Sequence, residues 1–109
     1  MDVPEICVND VKAMLDRGDT LLLLDVRESD EHATASIDAA KLIPMSEIQD
    51  RVGELEPHQN EPIVVHCHHG GRSAQVTQWL MQQGFTNVQN MTGGIDVWSQ
   101  QIDSSVPRY

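Results

Sequence analysis

Residues 63–74 read Ile63-Val64-Val65-His66-Cys67-His68-His69-Gly70-Gly71-Arg72-Ser73-Ala74. Three β-branched residues run toward a cysteine, and a short loop with two glycines follows. Arg72-Ser73-Ala74 then opens a helical pattern that continues to Gln83. Pro62 precedes the strand and Gly84 follows the helix, so both ends are punctuated. A buried strand that delivers a cysteine to a helix N-terminus makes an anion-handling site. The unpaired N–H groups of the loop and first turn point at whatever lies beside the cysteine. The same field favours thiolate over thiol, and thiolate is the reactive form. Cys67 is therefore the candidate nucleophile.

The flanking segments supply the architecture. Ile6-Cys7-Val8 reads as a short strand or a helix lead-in. Val11, Met14 and Leu15 then fall at helical spacing up to Gly18. Leu21 to Leu24 is an unbroken apolar run ending in Asp25, the pattern of a strand buried on both faces. Arg27 and Glu31 are spaced to pair across a helical turn. Residues 29–41 suggest a short helix and then irregular chain, and Leu42-Ile43-Pro44 a brief strand. Ser46 and Gln49 have the form of a capping box before Ile48, Val52 and Leu55. After the helix over 72–83, which turns Ala74, Thr77, Leu80 and Trp79 inward, Phe85 and Val88 to Met91 form another strand. Thr92-Gly93-Gly94 turns into a last helix bearing Ile95 and Trp98, and the tail to Pro107 packs back loosely. Strands alternating with helices give an α/β fold, a small parallel sheet with helices on both faces. Ligands of such sheets bind outside the carboxyl ends of the strands. Asp25, Cys67 and the Thr92-Gly93-Gly94 turn all fall there.

At 109 residues the chain is long enough for one domain, 1–109, with a modest core, and its apolar content of 39% argues for a folded chain. No apolar run approaches the length of a membrane span. Met1-Asp2-Val3-Pro4-Glu5 lacks the basic and apolar regions of a signal peptide, so a cytoplasmic protein is expected. Seven basic against seventeen acidic residues leave a net charge of −10, which argues against nucleic acid or an anionic membrane as partner. An anion site in such a chain must be a local positive island, for which Arg72, the loop amides, His68 and His69 are the candidates. Two cysteines, Cys7 and Cys67, are too few for a disulfide framework.

The spacing Cys67-x-x-Gly70-x-Arg72-Ser73 resembles the active-site loop of rhodanese-like sulfurtransferases. Leu23-Leu24-Asp25-Val26-Arg27-Glu28 and Gly93-Gly94-Ile95 with Trp98 resemble two further segments of that family, in the same order. The resemblance implies a single rhodanese-like domain over most of the chain. It implies that Cys67 takes up a sulfane sulfur as a persulfide and passes it to a thiophilic acceptor. His68, His69, Gly70, Gly71, Arg72 and Ser73 would line the substrate site. The loop amides would cradle the outer sulfur, and Arg72 would hold the loop and attract the donor. Asp25 and Arg27 would support the site from behind. The implied partners are a small anionic sulfur donor and an acceptor that is cyanide, a thiol or a carrier protein; no cofactor is called for. A tyrosine-phosphatase loop needs one more residue between cysteine and arginine to wrap a phosphate. The smaller ring here suits the outer sulfur of a persulfide. One segment departs from the family pattern, because Ala35-Ser36-Ile37-Asp38-Ala39-Ala40 has alanine where two glycines are usual. A left-handed residue there would be strained.

Each sharp assignment has a plain competitor. Cys67 could be an ordinary buried cysteine, but the glycines and arginine that follow favour a nucleophile. His66, His68 and His69 form one cluster rather than the two spaced ligand pairs of a zinc site, so a metal is not expected. His66 is expected to face the core, with His68 and His69 lining the loop. Cys7 reads as a half-buried structural residue, a resolving role requiring disulfide reach of Cys67. Trp79 and Trp98 read as core or rim aromatics. The function readings are a sulfurtransferase, then a phosphatase or arsenate reductase of related fold, then a sulfur-carrier or protein-binding module without turnover.

Overall fold

The computed structural model of the chain describes residues 3–109. Met1 and Asp2, the start of the stretch read as lacking a leader, lie outside the described residues. Among the described residues five strands form one sheet, all pairs parallel: β1 Glu5–Ile6, β2 Leu22–Asp25, β3 Ala40–Leu42, β4 Ile63–His66 and β5 Val88–Met91. Their spatial order is β1-β5-β4-β2-β3. The helices are α1 Val8–Arg17, α2 Ser29–Thr34, α3 Ile48–Arg51, α4 Gly71–Gln82 and α5 Gly94–Gln101.

The strands are short, and the central ones are apolar because both faces are covered. Ile63, Val65 and Cys67 pack with Leu24, Val76, Leu80, Phe85 and Ile48 on the face of α3 and α4. Val64, Leu23 and Met91 pack with Val8, Val11, Ile95 and Trp98 on the face of α1 and α5. The strand period of two thus sends His66 to the side opposite Cys67. His66 is fully buried there, as its place in the apolar run suggests.

Several local expectations need correction. The segment after Ser46 is not one continuous helix. α3 has a single turn, and two 3-10 turns, Val52–Glu54 and Glu56–His58, follow it. No side chain caps α3; the Ser46 hydroxyl donates to the Glu28 carboxylate instead, at 3.0 Å. The capping box lies at α2, where Glu28 and Glu31 exchange side-chain and backbone bonds. The third strand ends at Leu42, before Ile43-Pro44, and Ile43 N–H bonds the Asp25 carbonyl at 2.9 Å. Trp79 only half-enters the core that Thr77 and Leu80 fill, and Val76 is buried beside them. Cys7 is exposed rather than half-buried, and it precedes α1 without capping it. The tail is not loose: Val106 is buried, and its carbonyl accepts the Ser99 hydroxyl.

The alanine-containing stretch from 35 to 40 carries no strain, since no described non-glycine residue has positive φ. Its path is held by Arg27, which is completely buried. The guanidinium donates to Asp25 at 2.7 and 3.0 Å and to the Ala35 carbonyl at 2.7 Å. The expected Arg27–Glu31 side-chain pair is absent. Arg27 reaches only the Glu31 carbonyl, at 3.3 Å, because Asp25 already satisfies its charge.

Candidate active site

β4 ends at His66, and Cys67 is the first residue beyond the sheet. The chain then turns through Gly70, whose φ of +118° lies outside the range of ordinary side chains, and enters α4 at Gly71. The carbonyls of this loop are engaged away from the sulfur. Ile95 N–H donates to the Cys67 carbonyl at 2.9 Å, and Asp96 N–H to that of His68 at 3.1 Å. Asn90 Nδ2 donates to the Gly70 carbonyl at 3.2 Å. With the carbonyls held outward, the amides face inward. Gly70 N–H reaches Cys67 Sγ at 3.1 Å and Ser73 N–H reaches it at 3.4 Å. This is the anion-binding concavity expected at a helix N-terminus.

The Gly93-Gly94 turn makes the docking of α5 feasible. Gly94 has a φ of +59°, and a Cβ there would lie 2.5 Å from the carbonyl oxygens of both Cys67 and His68. Any other residue would push α5 off the loop.

Cys67 is only 1% exposed and belongs to the core facing α4. Burial alone would match an ordinary core cysteine and pushes the thiol up. Bonds from the Ser73 hydroxyl and from the amides of Ser73, Gly70 and His69 outweigh it, so the thiol is held below its usual range. The Ser73 hydroxyl has one proton and three neighbouring acceptors: Asn90 Oδ1 at 2.5 Å, the Gly70 carbonyl at 3.1 Å and Cys67 Sγ at 3.4 Å. The shortest contact is to Asn90, so the hydroxyl serves the sulfur only when it rotates toward a thiolate.

The cationic side chains are not free. Arg72 makes a bidentate pair with Glu31, at 2.6 and 2.9 Å. Arg72 in turn holds the Glu31 carboxyl down at about 2. His69 lies 3.8 Å from Asp96, which also pairs with Arg108 at 3.0 Å. Burial and the neighbouring His69 hold His68 below its ordinary value, favouring the neutral ring. The expected island of positive side chains is therefore matched by carboxylates, and the favourable field at Sγ comes from the backbone.

Of the residues anticipated from sequence, Cys67, Gly70 and Ser73 contact one another directly. Gly71 starts α4, His68 and His69 stack together on the rim, with ring centroids 4.0 Å apart, and Arg72 turns to Glu31. Asp25 and Arg27 sit behind, buried and bonded to each other, and His32 adds a 3.0 Å contact to Asp25. Sequence reasoning missed Glu31 as the partner of Arg72, and it missed Asn90 and Tyr109. Asn90 lies two positions after Val88, on the same strand face as that apolar residue, and this was a usable signal; Tyr109 offered none. Among the described residues, no three His, Cys, Asp or Glu side chains converge as a metal-binding group.

Comparison with known proteins bears on the family and the fold. A family model for the rhodanese-like domain matches residues 8–101. A sulfurtransferase of Allochromatium vinosum is 35% identical over 98 residues, covering 90% of each chain. A Bacillus subtilis (strain 168) protein designated a candidate sulfur carrier is 35% identical over 97 residues, 89% of this chain and 51% of its own. Two other curated relatives are longer still, and the chain spans 31% and 23% of their lengths. Among solved structures, a rhodanese-like domain protein from Staphylococcus aureus superposes with a TM-score of 0.80 at 33% identity, covering 87% of this chain and 90% of that one. With the cysteine loop, the sheet order and the match over residues 8–101 in agreement, the chain belongs to the rhodanese-like domain family.

Proposed function

We propose that this chain is a sulfurtransferase that carries sulfane sulfur on Cys67. The observation that carries the reading is the set of backbone N–H groups trained on Sγ, with the thiol held below its usual range. The Cys67 thiolate attacks the outer sulfur of thiosulfate or of a persulfide. A new S–S bond forms at Cys67 as the donor's S–S bond breaks, and sulfite or a thiolate leaves with the electron pair. The loop amides then stabilise the terminal sulfur of the Cys67 persulfide, which is anionic once deprotonated. A nucleophilic acceptor (cyanide, a small thiol or a carrier protein) attacks that sulfur, and the Cys67 thiolate is released. His68, His69, Gly70, Gly71, Arg72 and Ser73 shape the site, and Asp25 with Arg27 braces it. No helix among the described residues is long and apolar enough to cross a membrane.

A sulfur-carrier role, with a protein as sole acceptor, is the second reading. The candidate carrier from Bacillus subtilis supports it. A phosphatase fits less well, because the loop from Cys67 to Arg72 is one residue shorter than a loop that wraps a phosphate.

Intact-mass spectrometry after incubation with thiosulfate, or with glutathione persulfide, tests the reading. The wild type should gain one sulfur, Cys67→Ser none, and cyanide or a thiol should strip the adduct. A folded, reduced wild type that takes sulfur from neither donor would falsify the sulfurtransferase and the carrier alike. An adduct that only a protein acceptor removes would favour the carrier.

A further inference from the structure

After α5 the chain runs back along that helix. Val106 is buried and tied to Ser99, and Arg108 Nε donates to Asp96 at 3.0 Å. This path brings Tyr109 to the cysteine loop, where its side chain makes contacts of two kinds. The ring lies flat on His68, with centroids 4.0 Å apart and planes within 11°. His68 directly follows Cys67, and its Nε2 is buried without a hydrogen-bond partner among the described residues. The hydroxyl accepts from Arg27 Nη1 at 3.0 Å and donates to Glu31 Oε2 at 2.9 Å. That Glu31 oxygen is also bonded by Arg72 Nη2. One side chain therefore links the buried Asp25–Arg27 pair, the Glu31–Arg72 pair and the loop.

We propose that Tyr109 is a positioning residue of the Cys67 loop: its hydroxyl orders the Glu31 carboxylate that grips Arg72, and its ring clamps His68. The two functions are separable. The hydroxyl acts on Arg72 and hence on how the donor is held. The ring acts on the residue beside the nucleophile and hence on how well the loop amides stay aligned with Sγ. Cys67 is buried, so the loop that covers it sets both its acidity and its accessibility. The role assigned to Arg72 rests on the sulfurtransferase reading; the clamp on His68 does not.

Tyr109→Phe and Tyr109→Ala separate the two functions. Both are made with Cys7→Ser, because Cys7 is exposed and would also be alkylated. Two kinds of quantity are read: the pH midpoint of Cys67 alkylation by iodoacetamide, and the kinetic constants KM and kcat for thiosulfate or glutathione persulfide, whichever loads Cys67. Tyr109→Phe keeps the stack and loses both hydroxyl bonds, so KM should rise about threefold with kcat and midpoint unchanged. Tyr109→Ala loses the ring as well, and the midpoint should also move up by about half a pH unit. A residue that only anchored the tail would lower the melting temperature and leave both quantities alone. An unchanged KM in Tyr109→Phe, or an unchanged midpoint in Tyr109→Ala, overturns the proposal. If the wild type loads no sulfur, the sulfurtransferase reading has failed, and the midpoint alone decides the clamp.

Discussion

Moving the protein from about pH 7.5 to about pH 5 protonates His66 in the unfolded chain but not in the native one. His66 is fully buried at the end of β4, and neither ring nitrogen has a hydrogen-bond partner among the described residues. Burial pushes its value down from 6.5 to about 4, and the facing Asp25 offsets this only in part. A base whose native value lies below its unfolded one is held neutral by folding. Its contribution to stability is complete above 6.5 and is lost as pH falls through 6.5 toward 4. Integrating that difference gives a loss of about 2 kcal/mol by pH 5 and about 3 kcal/mol at more acid pH. The held-down carboxylates act elsewhere: Glu31, at about 2, loses its contribution only as pH falls below 4.5. His68 is also lowered and adds to the same slope. Urea unfolding at a series of pH values measures the effect as a falling midpoint with constant slope. His66→Phe keeps an aromatic ring, removes no side-chain hydrogen bond and should flatten most of the dependence. A wild type equally stable at both ends of this range, or an undiminished slope in His66→Phe, would refute the argument.

Two further outcomes test the loop. Ser73→Ala should raise the alkylation midpoint of Cys67 by about 0.5 to 1 pH unit, since the thiolate loses a hydroxyl donor. An unmoved midpoint would mean that the Ser73 proton stays with Asn90 throughout. Gly94→Ala should cost at least about 2 kcal/mol in urea unfolding, combining left-handed strain with displacement of two carbonyls, and should abolish sulfur loading. Gly18→Ala is the control: its φ is +71° but the space around it is open, so only strain of about 1 kcal/mol applies. Equal losses in the two variants would show that α5 does not dock as described.

Much of this was legible in the order of residues, and the reason is physical. Ile63-Val64-Val65 followed by Cys67 and two glycines leaves few alternatives to a buried parallel strand opening into a helix N-terminus, and the loop formed there. Leu21 to Leu24 and the Thr92-Gly93-Gly94 turn were readable on the same grounds. Cross-chain polar contacts were not. Arg72 meets Glu31 across 41 positions, and Tyr109 meets Glu31 across 78. Local spacing instead favoured an Arg27–Glu31 pair that does not form. The Ser46–Gln49 pattern failed for a related reason: Glu28, from another part of the chain, claims the serine hydroxyl. The charge reading identified the cations but not the carboxylates set against them.

The sheet order has one more consequence. β4 lies at the centre, flanked by β5 and β2, whereas the edges are β1, with two residues, and β3, with three. Short edge strands fray in local fluctuations that leave the middle of a sheet intact. Backbone amides of Val64 and Val65 should therefore exchange with solvent only through global unfolding, while those of the edges exchange through partial openings. The strand that presents Cys67 is the last part of the sheet to come apart, so transient breathing at either edge leaves the sulfur's platform standing.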